Sequence, residues 1–160
     1  MLKCTVSQVF DTLFADSAPL PFDKFQEERV PSKDRQLTKW KHGEEAQPPS
    51  SVTSKAFELQ ASDVLMSRKY EATIQSFRTG QLTKWQMVVL KEASLIKIRM
   101  LNEITGVPSS DCFNPEEEWV ITSTDPDCPK CIVRHSVYIH FHKSSFMQSM
   151  ITGKAFEGQQ

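Results

Sequence analysis

The chain has 160 residues, with 19 Lys and Arg against 20 Asp and Glu, a net charge of −1. Hydrophobic residues make up 39 % and charged residues 24 %, the balance of a folded, water-soluble domain rather than a disordered chain. The length fits one domain with room for a flexible insert. No basic excess is present to neutralise a phosphate backbone, which argues against nucleic acid as a partner. No run of about 18 apolar residues exists to span a bilayer. The opening MLKCTVSQVFDTLF lacks the long apolar core and small-residue cleavage site of a secretory signal.

Thr5 and Gln8 form a capping box ahead of Val6, Val9, Phe10, Leu13 and Phe14, which repeat at helical spacing. A short helix is predicted here, ended by Pro19 and Pro21. Phe22 and Phe25, set among charged residues, predict a second short helix that closes near Pro31. The stretch 41–63 opens KHGEEAQPPSSVTS and reads as a mobile loop or insertion within a single domain over 1–160. QLTKW occurs at 36–40 and again at 81–85, but two short copies with unrelated flanks do not make a structural repeat.

From Leu65 onward strands dominate. Tyr70, Ala72 and Ile74 alternate with Glu71, Thr73 and Gln75, and Ile96, Ile98 and Met100 alternate with Lys97 and Arg99. Trp119 and Ile121 alternate with Glu118, Val120 and Thr122. Val133, His135, Val137, Ile139 and Phe141 alternate with Arg134, Ser136, Tyr138, His140 and His142. Period two with one polar side predicts an antiparallel sheet with one wet face. Met87–Leu90 reads as a further strand. Phe146, Met147, Met150 and Ile151 return to helical spacing behind Ser144 and Ser145, which predicts a final helix. The expected class is α+β.

Candidate chemistry is sparse. Cys128 and Cys131 make a CxxC in a turn-like segment, without the second ligand pair that zinc needs. His140 and His142 share one strand face but have no third ligand, so a solvated face is the simpler reading. Glu116, Glu117 and Glu118 point to different sides, and a solvated turn or strand edge is the simpler reading. There is no GxSxG, P-loop, GxGxxG or HExxH. No catalytic site, cofactor site or metal site is predicted. His135 falls on the apolar side, either as a satisfied core histidine or as a polar anchor inside an apolar cavity.

Five segments in order carry a family resemblance. Thr5–Asp16 (TVSQVFDTLFAD) and Phe22–Arg29 (FDKFQEER) resemble the first two helices of VASt domains, the START-like modules of Lam/Aster sterol-transfer proteins and plant VAD1-type proteins. Ser67–Ser76, with Arg68 and Tyr70, resembles the family's arginine-aromatic strand. Thr105–Phe113 keeps Val107, Pro108 and Phe113 of its turn. Lys143–Gly158 is similar to the start of its long C-terminal helix.

The resemblance implies a START-like helix-grip: a curved antiparallel sheet around a C-terminal helix, with two short N-terminal helices. It implies a non-enzymatic module that binds a sterol in an internal apolar cavity and moves it between membranes. A different lipid or hydrophobic metabolite, or a ligand-free interaction module, are the alternatives. On this reading Tyr70, Ile74, Ile96, Ile98, Trp119, Ile121, His135, Val137, Ile139, Met147 and Met150 line the cavity, and Phe77, Gly80 and Leu82 form a lid. Plain core packing competes for each of them, and a one-residue register error would invert the assignment. The resemblance further implies a monomer that touches membranes transiently at their cytosolic face, at endoplasmic reticulum contact sites. The family's longer proteins add a GRAM domain and a membrane anchor, so both an excised domain and a full-length protein fit the resemblance.

Overall fold

The computed structural model describes residues 2–22, 24, 32–46, 59–75, 78–123, 130–143 and 148–149. Among them α1 (Val6–Leu13) is followed by strands β1 (Ser32–Leu37), β2 (Lys41–His42), β3 (Met66–Gln75), β4 (Thr79–Lys91), β5 (Leu95–Thr105), β6 (Phe113–Thr122) and β7 (Ile132–Phe141). One antiparallel sheet runs β1-β3-β4-β5-β6-β7, with β2 also paired to β3. The strands expected from alternation are all present, and the α+β class stands with most of the described chain in sheet.

The predicted capping box is formed. Thr5 Oγ1 accepts from Gln8 N at 3.2 Å, and Thr5 N donates to Gln8 Oε1 at 2.8 Å. The helix stops at Leu13, with Phe14 as its cap, several residues before Pro19. Most of the predicted second helix and of the final helix lies outside the described residues.

Two elements depart from the sequence reading. β1 (SKDRQL) shows no alternation of apolar residues, because it is an edge strand with most side chains in water. The region 41–63 begins as sheet rather than loop: Lys41 and His42 pair with Ser67 and Met66. Ala46 is fully buried and packs with Val64, Met87 and Leu101, so the ends of this region cover one face of the sheet, the back face. Residues 47–58 lie outside the described ones.

Helix α1 covers the other face. Val6, Val9, Phe10 and Phe14 pack on Val88, Ile96, Ile98, Met100 and Ile121. Directly opposed residues of an antiparallel pair point to the same side. Ile98 opposes both Val88 and Trp119, and Trp119 opposes His135, so these all lie on the helix face. Tyr70, Lys84 and Asn102 form a second such row, as do Ile74 and Gly80. Trp40 ties the end of α1 down, donating from Nε1 to Phe14 O at 2.7 Å. Arg68 lies 4.5 Å over the Trp40 ring and donates from Nε to Gln86 Oε1 at 2.7 Å. A buried guanidinium is tolerable only with such partners.

The N-terminal segment closes the far edge. Leu2 and Cys131 exchange two backbone hydrogen bonds of 3.0 Å, which brings Cys4 Sγ within 3.8 Å of Cys131 Sγ. Both are free thiols, and burial pushes that of Cys131 up to about 11. Cys128, its CxxC companion, lies outside the described residues.

Candidate lipid pocket

α1 is short, and the sheet runs on past it. Beyond the part that α1 covers, the helix face holds a pocket of about 260 Å³. Its apolar wall is Tyr70 and Ile74 from β3, Leu82 from β4, Ile104 from β5 and Pro115 from β6, with Ser32 of β1 at the edge. Its polar part is Lys84, Asn102 and Glu117, on three adjacent strands.

These three groups are bonded to one another. Lys84 Nζ donates to Glu117 Oε1 at 2.8 Å, and Asn102 Nδ2 donates to the same oxygen at 3.2 Å and to Pro115 O at 3.1 Å. His135 Nε2 meets Glu117 Oε2 at 3.1 Å, and because a carboxylate only accepts, the imidazole is the donor. The His135 ring stacks on Trp119 with centroids 4.2 Å apart. Burial by itself would raise the pKa of Glu117. The opposite charge of Lys84 and the bonds from His135 and Lys84 outweigh it and hold the carboxyl well below the usual carboxylate range. The lysine and glutamate charges therefore cancel inside the face.

A larger pocket of about 490 Å³ lies on the same face at its α1 side, lined by Leu13, Trp119 and the segment Pro19–Phe22 with Lys24. Phe22 stands between the two pockets. Its ring centroid is 4.8 Å from that of Trp119 and 5.9 Å from Lys84 Nζ.

The expected cavity residues separate into groups. Tyr70 and Ile74 line the smaller pocket and Trp119 the larger. Ile96, Ile98 and Ile121 are fully buried beneath α1, in packed core rather than at a pocket wall. His135, with its side chain 29 % exposed, is held by Glu117. Val137 and Ile139 sit half-buried on the same face, opposite Glu117 and Pro115. Gly80 and Leu82 stand in β4, paired to β3 and β5, rather than in a loop. Phe77, Met147 and Met150 lie outside the described residues.

The triple glutamate corrects the sequence reading. It is part of β6, and both Glu116 and Glu117 are buried. Glu117 is two residues from Trp119 and so in phase with it. That spacing was the signal that could have placed it inside. Asn102 is in phase with Ile96, Ile98 and Met100 and carried the same signal, whereas Lys84, between Leu82 and Gln86 in its phase, carried a weaker one.

Among the described residues no group of three His, Cys, Asp or Glu is placed to hold a metal ion, and no helix is long and apolar enough to cross a membrane. A sheet with a short helix over one end and a pocket of apolar walls and polar floor at the other defines a small-ligand-binding α+β module. The chain belongs to the VASt family: the VAD1 Analog of StAR-related lipid transfer domain matches residues 1–158. Membership makes it a START-like lipid-binding module. No curated protein matches the chain in sequence.

Proposed function

We propose that this chain is a non-enzymatic sterol carrier, taking the lipid from one membrane and delivering it to another. The observation that carries the reading is the helix-face pocket, with apolar walls from four strands and a charge-cancelled polar floor. A sterol is rigid, so its binding loses little conformational entropy, and burial contributes roughly 25 cal/mol per Å² of apolar area. The smaller pocket lies just under the span of about 300–1,000 Å³ usual for small ligands. A four-ring lipid that starts at the polar floor and runs past Phe22 uses the larger pocket as well. Phe77, Gly80 and Leu82 are the proposed lid, with Leu82 on the pocket wall and Gly80 in β4 opposite Ile74. The cytosolic face of a membrane, at endoplasmic reticulum contacts, is the expected place of work.

Titration with fluorescent dehydroergosterol tests the reading. Saturable binding, with exchange between two vesicle populations, is expected. Absence of binding leaves a ligand-free interaction module, and displacement by phospholipid rather than cholesterol means a different lipid.

A further inference from the structure

We propose that Cys4 and Cys131 are a site of reversible thiol oxidation, closing to a disulfide that clamps the start of α1 to the sheet edge at β7. The oxidant class is a small-molecule disulfide such as oxidised glutathione.

The CxxC of the sequence pairs Cys131 with Cys128, but the fold brings Cys131 a different neighbour. Leu2 and Cys131 pair at the sheet edge through two backbone bonds. Two residues on, Cys4 Sγ stands 3.8 Å from Cys131 Sγ, across 127 positions of chain. Both thiols are free. Cys131 is 1 % exposed and belongs to the core beneath α1. Cys4 is half-buried and packs against that same core. One sulfur is therefore sealed and the other reachable. A bond needs the two to close to about 2.05 Å. The segment that must yield carries Leu2, 48 % exposed, so little packing resists the move.

The order of steps follows from burial. A thiolate, not a thiol, attacks a disulfide. Burial pushes the Cys131 thiol up to about 11, so the reachable Cys4 reacts first. Cys4 loses its proton to water and attacks one sulfur of the small disulfide. A mixed disulfide forms, and the other half leaves with the bonding electron pair and takes up a proton. Cys131 then loses its proton, attacks the Cys4 sulfur and expels the second small thiol. The two protein thiols give up two protons and two electrons, and the small disulfide becomes two thiols.

The consequence falls on α1. Cys4 directly precedes Thr5, the N-cap of that helix. A bond here closes a loop over most of the chain, and cross-linking a long loop removes much of the unfolded state's freedom. Oxidation therefore stabilises the fold, and by linkage folding favours the bond by the same factor.

The test takes the unaltered chain through glutathione buffers, quenches with iodoacetamide and cuts with trypsin. Cleavage after Lys3 and Lys130 puts Cys4, Cys128 and Cys131 on three different peptides. A Cys4–Cys131 link is expected, reversed by dithiothreitol and retained in Cys128→Ser. Its equilibrium constant should be at least about a hundredfold larger in the folded chain than in the chain unfolded by urea. The oxidised chain should melt about 5–15 °C above the reduced one. Cys4→Ser should lose both effects. A link from Cys131 to Cys128 or Cys112, glutathione left on Cys4 as the final product, or a link no more favoured in the folded chain than in the unfolded one overturns the pairing. A Cys4–Cys131 link without a rise in the thermal midpoint overturns the clamp.

Discussion

Lys84 Nζ on β4 lies 2.8 Å from Glu117 Oε1 on β6, so the pair spans β5 and clamps three strands at the floor of the pocket. Both side chains are largely buried, 3 % and 11 % exposed. Removing one partner of a buried pair typically costs about 3–5 kcal/mol. The pocket gives water some access here, so Glu117→Gln is expected at the low end, about 3 kcal/mol, still a folded protein. Lys84→Met combined with Glu117→Leu should recover most of the loss. Urea unfolding followed by tryptophan fluorescence measures all three. A double variant no better than the single ones would mean that the pair is not a closed electrostatic unit.

The same carboxylate sets an acid limit. Its pKa in the folded state is depressed, against about 4.3 for an unfolded glutamate. A depressed folded pKa contributes stability above the unfolded value, and the contribution is lost as pH falls from there toward the folded value. The thermal midpoint should therefore decline as pH drops below about 4.3, and Glu117→Gln should flatten that decline. Melting curves between pH 3 and pH 7 decide it. Parallel curves for the two proteins would assign the acid sensitivity to other carboxylates.

Most of the sheet was legible because a strand half in core and half in water writes its geometry as alternation. Trp119, His135 and Val137 share a face because every second residue does, and the pairing of β5, β6 and β7 keeps that phase. Three parts were not legible. β1 is an edge strand with no apolar row, so SKDRQL carries no period to detect. The depth of Ile96 and Ile98 depends on where α1 lands, a long-range fact that alternation does not contain. The floor of the pocket is polar, and a buried Lys84 looks like a surface residue until Glu117, 33 positions away, is placed beside it.

Core and pocket can be separated by substitution. Ile98 is fully buried under α1, and Ile98→Val should cost about 1 kcal/mol in stability with lipid affinity unchanged. Ile74 lines the pocket and is only half-buried, so Ile74→Trp fills space rather than overpacking the core. It should reduce dehydroergosterol binding at least about tenfold with little change in the unfolding midpoint. Paired measurements of binding and unfolding on both variants give the contrast. The reverse pattern would place the ligand beneath α1.

Gly80 stands in β4, against the end of β5 and the residues that follow it. It opposes Ile74, and a Cβ built on it would lie 2.6 Å from Val107 Cγ1 and 2.7 Å from Thr105 O. Close approach, rather than an unusual φ, is what demands glycine here. Gly106 is the complement: its φ of +81° suits glycine, and a Cβ there would meet Thr79 O at 3.2 Å. Gly80→Ala should therefore push this part of β4 away from Thr105 and Val107 and destabilise by about 1–3 kcal/mol. Adding Val107→Ala removes the side-chain clash but not the one with the Thr105 carbonyl, so recovery should be partial. Because Gly80 is one of the proposed lid residues, dehydroergosterol should also leave Gly80→Ala faster in a stopped-flow transfer to vesicles. A Gly80→Ala protein with unchanged stability and unchanged release would show that Gly80 does not approach Thr105 and Val107 so closely in solution, and would remove it from the proposed lid.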